Sequence, residues 1–264
     1  MNVLSLFDGM ACGRIALDRC GITPRRYFAS EIDKYAMQIA RKNWPDIVHI
    51  GDVQDVMWPE TFEGEQIDLL IGGSPCQGFS FAGKQLNFDD PRSKLFFEYV
   101  RLLKETRPRW FLLENVRMKQ QSQDIISEML GVHPVAINSS LVSAQNRYRL
   151  YWTNIPFLLP MDKGLVMQDI LEHGYVDRDK SHCLDANYWK GGNLKQYFEK
   201  HRRQLVFDND SCCGLYRKLT PIECERLQTV PDNYTEGVSN SQRYRMLGNG
   251  WTVDVVAHIL AGIK

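Results

Sequence analysis

The sequence predicts an α/β fold, with a parallel sheet covered by helices on both faces and a second, smaller domain. Up to about residue 156, short apolar runs alternate with segments of helical periodicity. These apolar runs are continuous, which is typical of strands buried on both faces of a parallel sheet. Beyond that point the sequence becomes polar and aromatic, which indicates a separate unit or a recognition insert.

The predicted elements of the main domain follow one another in β–α order. Strands are predicted at 3–7, 26–30, 47–51, 67–72 and 110–115. Helices are predicted at 13–20, 34–43, 94–106 and 122–129. A later helix is expected to begin at Thr220, because Pro221 suits its first position and Glu223 can close a capping box. The last segment, 252–263, has apolar residues at helical spacing and is expected to pack on the main sheet.

Length and composition are those of an ordinary globular protein. Of 264 residues, 44% are hydrophobic and 24% are charged, and the apolar runs are strand-sized, so no membrane segment is expected. The seven cysteines include no C-x-x-C pair, so we expect no metal, no disulfide framework and a cytoplasmic location. The first residues lack the features of a signal peptide, which agrees with that location. Because 32 basic residues balance 32 acidic ones, a nucleic-acid partner would need a local basic face.

Three predicted strands end in residues that suit a cofactor. The first runs into the glycine-containing segment 7–13, the second ends at Glu31 and the third at Asp52. Glycines at such a strand end can line a ligand site or only form a tight turn, and both acids could be helix caps. Together they favour an adenosine-containing cofactor. The G-x-G-x-x-G loop that would hold a pyrophosphate is missing, which favours a methyl donor over a nicotinamide dinucleotide.

The fourth and fifth strands end in a candidate nucleophile and a candidate proton-handling group. The fourth is followed by Gly72-Gly-Ser-Pro-Cys76, in which Pro75 stiffens the loop and backbone amides could lower the pKa of the thiol. The fifth ends at Glu114. A lone cysteine is most often a buried small side chain, but Cys76 lies in a polar loop at the ligand-binding edge. We therefore interpret Cys76 and Glu114 as a nucleophile and its partner.

The whole sequence resembles the cytosine-C5 DNA methyltransferase family. Six short motifs occur in the family's order, and they are Phe7-Asp-Gly9, Pro75-Cys-Gln77, Glu114-Asn-Val116, Gln145-Asn-Arg-Tyr-Arg149, 219–228 followed by Pro231-Asp, and 247–253. The resemblance implies a Rossmann-like S-adenosylmethionine-dependent methyltransferase sheet with a small target-recognition domain. Residues 1–158 and 242–264 would form the catalytic and cofactor-binding domain, and residues 159–241 the recognition domain.

The resemblance also implies a reaction. The family flips a cytosine out of duplex DNA, as base-modifying enzymes must. Cys76 would add to carbon 6, so that carbon 5 becomes nucleophilic and takes the methyl group from S-adenosylmethionine, leaving S-adenosylhomocysteine. Glu114 would interact with N3 and the exocyclic amine, and Arg149 with the base oxygen and Glu114. Arg147 is a further catalytic candidate, with phosphate or surface contact as its alternative. An ordered water is a candidate for the base that removes the C5 proton.

By the same resemblance, ten residues are candidate cofactor contacts. They are Phe7, Asp8, Gly9, Glu31, Ile32, Asp52, Val53, Pro75, Asn249 and Trp251. Glu31 would bind the ribose and Asp52 the adenine amine. Asp8 and Trp251 depart from the pattern of many bacterial members and resemble the animal de novo branch, which leaves the set of contacts less defined.

Segment 161–217 is expected to hold the recognition elements. The candidate DNA contacts are Gln77, Ser80, Lys195, Arg202, Arg203 and Arg217. Most such charges contact phosphate or solvent rather than bases. Because this segment is short for the family, we expect a target of a few base pairs. The expected partner is double-stranded DNA, with a cognate restriction endonuclease as a functional partner, no membrane, and a monomer or weak homodimer in a bacterial or phage setting.

Three alternatives stay open at this point. An RNA methyltransferase of the tRNA-modifying branch would usually carry a Cys-Phe-Thr element, which this sequence lacks. A catalytically silent DNA-binding homologue would tend to lose the Pro-Cys-Gln or Glu-Asn-Val motif, and both are intact. A nicotinamide-dependent oxidoreductase is disfavoured by the missing pyrophosphate loop.

Overall fold

The computed structural model describes residues 1–74 and 91–263, with side chains from residue 94 onward in the second range. The chain forms two compact units. The first unit contains Met1–Ile137, Tyr148–Phe157 and Ile259–Lys264, and the second contains Asn138–Arg147 and Leu158–His258. This division follows contacts within the chain, and the division into catalytic and recognition domains stays a prediction.

A mostly parallel sheet forms the centre of the first unit. Its strands are β1 (Asn2–Leu6), β2 (Arg26–Ser30), β3 (Ile47–Gly51), β4 (Leu69–Gly72), β5 (Trp110–Val116), β6 (Val135–Asn138) and β7 (Tyr148–Thr153). They lie in the order β3-β2-β1-β4-β5-β7-β6. β1 pairs in parallel with both β2 and β4, and β4 pairs in parallel with β5, whereas β7 is antiparallel to β5. The predicted α/β fold class is confirmed.

Helices follow the parallel strands of the first unit. They are α1 (Cys12–Arg19), α2 (Lys34–Asn43), α3 (Pro91–Thr106) and α4 (Gln120–Leu130). α2 begins after Asp33, whose carboxylate accepts hydrogen bonds from the amides of Tyr35 and Ala36 at 2.9 and 3.2 Å. β2, β3 and α2 coincide with their predicted bounds, while β6 and β7 were not predicted. β7 mixes Arg149 and two tyrosines with apolar residues, so it lacks a continuous apolar run.

The second unit is built from short elements. They are α5 (Met167–Ile170), α6 (Leu194–Lys200), β8 (Leu205–Phe207), β9 (Tyr216–Lys218), α7 (Pro221–Leu227) and α8 (Asn240–Asn249), followed by α9 (Val253–Leu260). β8 and β9 form an antiparallel pair, and Tyr197 packs with Leu205 and Phe207 in a small core. Within the described ranges, no helix is both long and apolar enough to cross a membrane.

The predicted capping box of α7 is confirmed and belongs to a larger buried arrangement. The Thr220 hydroxyl accepts from the Glu223 amide at 3.1 Å, and the Glu223 carboxylate accepts from the Thr220 amide at 2.7 Å. The same carboxylate, which is fully buried, accepts from the Glu172 amide at 3.0 Å and from both terminal nitrogens of Arg217 at 2.8 Å. Glu223 therefore connects three segments of the second unit.

Replacing Glu223 by Ala is expected to lower the free energy of unfolding by about 3–5 kcal/mol, because it leaves the Arg217 charge and the cap donors without their acceptor. Chemical denaturation with circular dichroism measures this loss. The matched control is Asp232→Ala, which removes a half-exposed ion pair with Arg226 and should cost about 0–1 kcal/mol. Equal losses in the two variants would contradict the role given to Glu223.

Candidate active site

The parallel strands of the first unit end level with one another. Leu6 of β1 is paired with Ser30 of β2 and with Gly72 of β4, and Gly72 is paired with Leu113 of β5. The residues that follow these strands therefore meet at one edge of the sheet. In open α/β sheets this edge, beside the strand where the chain order reverses, is where ligands bind. Here that strand is β1.

The segment after β1 has an unusual backbone. Phe7, Gly9 and Ala11 all have positive φ angles of 57°, 60° and 68°. Residues other than glycine rarely adopt this left-handed backbone conformation, so surrounding contacts must stabilise it. One contact is the hydrogen bond from the Asp8 amide to the Ser30 carbonyl at 3.1 Å. We call residues 7–11 the β1 loop.

Glu31 joins the β1 loop to the end of β2. One carboxylate oxygen accepts from the Gly9 amide at 2.8 Å, and the other accepts from the amides of Ile32 and Asp33, each at 2.8 Å. Glu31 is therefore not the cap of α2, a role taken by Asp33. Beside it, Ile32 is 73% exposed.

The end of β3 lies next to this arrangement. Ser30 is paired with Gly51, and its hydroxyl donates to the Gly51 carbonyl at 2.9 Å. Asp52 follows and caps a short 3₁₀ turn by accepting from the Gln54 amide at 3.0 Å, while Val53 is buried. Two carboxylates at adjacent strand ends, beside an exposed apolar side chain, fit the hydroxyls, the amine and the ring of an adenosine group. The residues present therefore suit a cofactor such as S-adenosylmethionine.

Asp8 differs from these carboxylates because it is buried. Only 7% of the residue is exposed, and one carboxyl oxygen accepts a hydrogen bond from the Tyr27 hydroxyl at 2.6 Å. The other oxygen has no hydrogen-bond partner among the described residues. Burial raises the pKa of the Asp8 carboxyl to about 7, and the nearby charge of Glu31 adds to the effect. Its predicted contact with a cofactor stays a prediction.

An ion pair lies at the end of β5. The Glu114 carboxylate is 2.9 Å from Nε of Arg149, and both side chains are largely buried, with exposures of 12% and 15%. Glu114 is paired with Tyr151 across the antiparallel β5–β7 ladder. Arg149 lies two residues away along β7, so the two side chains occupy the same face of the sheet. Antiparallel pairing thus brings together two of the predicted catalytic residues.

Asn115 connects the end of β5 to the residue after Gly73. Its amide nitrogen donates to the Ser74 hydroxyl at 3.1 Å and to the Ser74 carbonyl at 3.4 Å, and all these groups are buried. Asn115 was not predicted as a site residue, although it belongs to the Glu114-Asn-Val116 motif. Cys76, Pro75, Gln77 and Ser80 lie outside the described residues. These hydrogen bonds attach β5 to Ser74, the last described residue before the part of the sequence that contains Cys76.

In the second unit, Arg147 is buried within main-chain carbonyls. Its guanidinium donates to the carbonyls of Leu184 at 2.9 Å, Gly248 at 3.1 Å and Gly250 at 2.8 Å. Gln228 donates to the Leu247 carbonyl at 2.6 Å and accepts from Gln145 at 2.9 Å. One buried network therefore connects the motifs at 145–149, 219–228 and 247–253. This connection was not predicted, because it depends on which carbonyls face each side chain.

The remaining predicted contacts of the second unit differ in accessibility. Asn249 is exposed at the end of α8, whereas Trp251 is 9% exposed. Lys195 and Arg202 are exposed, although Arg202 lies 3.2 Å from the Asp185 carboxylate.

Two predicted DNA contacts have partners inside the second unit. Arg203 donates to the Gly191 carbonyl at 2.7 Å and lies 3.7 Å from Asp185. Both terminal nitrogens of Arg217 donate to the Glu223 carboxylate. These hydrogen bonds raise the pKa of the Arg217 guanidinium above its ordinary value. This is the geometry of a structural ion pair. A DNA role for either arginine stays a prediction.

Comparison with known proteins identifies the family to which the sequence is similar. The family model described as C-5 cytosine-specific DNA methylase matches residues 1–155 and 167–264. Type II methyltransferase M1.ScrFI of Lactococcus lactis subsp. cremoris is 28% identical over an alignment that covers 98% of this chain and 77% of that protein.

Two solved structures share the fold. The Entamoeba histolytica methyltransferase EhMeth has a TM-score of 0.78 at 19% identity and covers 99% of this chain and 97% of its own. A Spodoptera frugiperda DNMT2 mutant has a TM-score of 0.71 at 19% identity and covers 100% of this chain and 99% of its own. At these identities the likeness shows the fold alone.

The buried Asp8 carboxyl predicts how stability depends on pH. Because its pKa is raised from 3.8 to about 7 on folding, the folded state keeps a proton that the unfolded state has lost. The contribution is therefore most favourable below pH about 4 and falls as the pH rises to 7, by roughly 4 kcal/mol at most. Asp8→Asn removes this loss, so its melting temperature relative to the parent protein should rise between pH 5 and pH 8.

The control for this measurement is Asp124→Asn, which changes an exposed carboxylate on α4. Its melting temperature should follow that of the parent protein across the same range. A difference between Asp8→Asn and the parent that stays constant with pH would contradict the raised pKa.

Proposed function

The chain belongs to the C-5 cytosine-specific DNA methylase family, and from this premise we propose that it methylates carbon 5 of a cytosine flipped out of duplex DNA. The observation that carries this proposal is the buried ion pair between Glu114 and Arg149 at the ligand-binding edge. It lies at the end of β5, the strand that pairs with β4, and β4 leads in sequence towards Cys76. Glu114 and Arg149 thus lie beside the strand whose sequence continues to the proposed nucleophile.

In the proposed reaction, the thiolate of Cys76 forms a bond to carbon 6 of cytosine. The electron pair displaced from the C5–C6 bond makes carbon 5 nucleophilic, and negative charge spreads to N3 and the base oxygen. Glu114 is proposed to donate a proton to N3 and to accept a hydrogen bond from the exocyclic amine. Arg149 is proposed to hold the Glu114 carboxyl group and to stabilise the charge near the base oxygen. Once carbon 5 has gained the methyl group, a base such as an ordered water takes the C5 proton, which restores the C5–C6 double bond and releases the Cys76 thiolate.

S-Adenosylmethionine supplies an electrophilic methyl group when it is bound. We propose that Glu31 accepts from the ribose hydroxyls and Asp52 from the adenine amine, while Ile32 packs on the ring. Gly9 leaves room for the ligand beside the β1 loop, and the positive φ of Phe7 turns the chain there. Ile32 is 73% exposed, so its apolar side chain is accessible to the adenine ring.

For Arg147 we propose a positioning role rather than contact with the base. Its guanidinium bonds to carbonyls of three residues, and the residue is 2% exposed. A buried arginine satisfied in this way stabilises the segment 145–147, which leads into β7 and Arg149. The proposed role of Arg147 is therefore to fix the residues that directly precede β7.

DNA is the proposed substrate, with a short target sequence read by the second unit. The exposed Lys195 and Arg202 are proposed to contact phosphate, since exposed basic side chains more often bind the backbone than the bases. A cognate restriction endonuclease is a proposed functional partner, because M1.ScrFI is named a Type II methyltransferase. Cytosine in RNA is the second candidate substrate. The fold is also like that of DNMT2, so fold alone does not separate the two.

Covalent trapping tests the nucleophile and the substrate together. Duplex DNA that contains 5-fluorocytosine should form a complex with the protein that survives denaturation, because fluorine cannot leave as the C5 proton does. The complex requires S-adenosylmethionine and should be absent in Cys76→Ala. Gel electrophoresis and intact mass spectrometry detect it.

A tRNA substrate that contains 5-fluorocytosine is the parallel arm of this experiment. The proposal expects trapping on DNA at least tenfold faster than on RNA. Faster trapping on RNA would favour the second candidate, and trapping that persists in Cys76→Ala would exclude Cys76 as the nucleophile.

A further inference from the structure

Within the β1 loop the Ala11 amide donates to the Asp8 carbonyl at 3.1 Å, and residues outside the loop supply further support. Phe7 and Ala11 have φ angles of 57° and 68° without being glycine. A backbone of this kind persists only where neighbouring groups hold it. Glu31 holds the loop from β2 through the Gly9 amide at 2.8 Å. That contact constrains the middle of the loop but does not involve its only buried charged side chain, that of Asp8.

The Asp8 side chain is held by Tyr27, a residue of β2. The Tyr27 hydroxyl donates to Asp8 at 2.6 Å, and the two residues are 1% and 7% exposed. A Cβ atom added at Gly13 would lie 2.9 Å from the Tyr27 hydroxyl oxygen, so the start of α1 closes around this group. The hydroxyl therefore has little freedom to move away from Asp8. The Tyr27–Asp8 hydrogen bond and the Glu31–Gly9 hydrogen bond hold two consecutive residues of the loop.

Burial of the Tyr27–Asp8 pair makes the free energy of folding less favourable. Burying a carboxyl group whose second oxygen has no partner among the described residues opposes folding, whereas an apolar pair of similar volume would not. Glu31, Ser5 and Cys12 are the other polar or titratable groups that act on this pair. A buried polar contact that opposes folding, made by a residue of the candidate ligand-binding loop itself, indicates a role for that contact in the loop.

We infer that Tyr27 and Asp8 are positioning residues for the cofactor, and that their buried hydrogen bond fixes the β1 loop in its ligand-binding conformation. This inference rests on the proposed role of the loop in binding S-adenosylmethionine. Tyr27 acts only through Asp8, and neither side chain needs to touch the cofactor. Losing the bond lets the loop sample other conformations, so binding becomes weaker while the chemistry of bound cofactor is unchanged.

Tyr27→Phe removes the hydroxyl and little else. Calorimetric titration should show about a tenfold rise in Kd for both S-adenosylmethionine and S-adenosylhomocysteine, the size expected for one lost hydrogen bond. At saturating cofactor, kcat should stay within about twofold, so the loss appears in KM. The matched control is Tyr197→Phe. Tyr197 is also buried and donates to a carboxylate, that of Asp177, but lies in the second unit, so its Kd values should not change.

A double-mutant cycle tests the pair itself. Asp8→Ala should weaken binding, and adding Tyr27→Phe to it should change Kd by less than about twofold, because the hydroxyl has already lost its acceptor. Hydrogen exchange of the peptide 1–14, measured without cofactor and below the melting temperature, should be faster in Tyr27→Phe than in Tyr197→Phe. This readout stays informative if Asp8→Ala does not fold.

The results of these experiments distinguish a failure of the proposed function from a failure of the role given to Tyr27 and Asp8. A parent protein that does not bind S-adenosylmethionine would overturn the proposed function. A parent protein that binds it, together with a Tyr27→Phe variant whose Kd values and exchange rates are unchanged, would overturn only the inference. Independent, multiplying effects of the two substitutions would also overturn it.

Discussion

Parallel pairing of β1 with both β2 and β4 is the constraint on which the rest of the first unit depends. Because the pairings align Leu6 with Ser30 and with Gly72, the residues that follow three strands meet at one edge. Glu31 can reach the Gly9 amide only in this register, and Asn115 can reach Ser74 only because β5 is aligned with β4. A slip by one residue would turn each of these side chains to the opposite face.

Three buried carboxyl groups, those of Glu223, Glu225 and Asp8, differ in their partners. Glu223 and Glu225 are fully buried, and each is satisfied by backbone amides and by an arginine, Arg217 and Arg243 respectively. Such groups stabilise their surroundings as long as every partner is present. Asp8 has Tyr27 as its hydrogen-bond donor and a pKa raised to about 7. Glu223 and Glu225 therefore stabilise the second unit, whereas Asp8 belongs to the loop of the candidate ligand site.

Much of the fold could be predicted from local signals. β2, β3 and α2 were predicted to the residue, because continuous apolar runs and a helix that ends before Pro45 are visible without tertiary context. The capping box at Thr220 was visible for the same reason. β7 was missed because an antiparallel strand that carries Arg149 among tyrosines has no simple period. Its pairing with β5 is nevertheless what brings Arg149 to Glu114.

The candidate site could be predicted in its residue types but not in its contacts. Strand ends indicated Glu31, Asp52 and Glu114, since any parallel sheet gathers its strand ends at one edge. Which group each side chain binds depends on packing. The family resemblance put Arg149 next to Glu114, where the structure has it, but nothing in the sequence indicated that Arg147 binds main-chain carbonyls. It likewise did not reveal Tyr27 as the partner of Asp8, because an aromatic residue in a buried strand gives no sign of where its hydroxyl points.

The central claim is that the methyl group goes to carbon 5 of cytosine, and release of tritium from that carbon tests it most directly. Duplex DNA labelled with tritium at carbon 5 of cytosine is incubated with the protein and S-adenosylmethionine, and tritium in water is counted together with methyl groups in DNA. The account predicts one tritium released for each methyl group transferred, because the methyl group replaces that hydrogen. Methylation of the DNA with the tritium retained would place the methyl group on another atom and contradict the account.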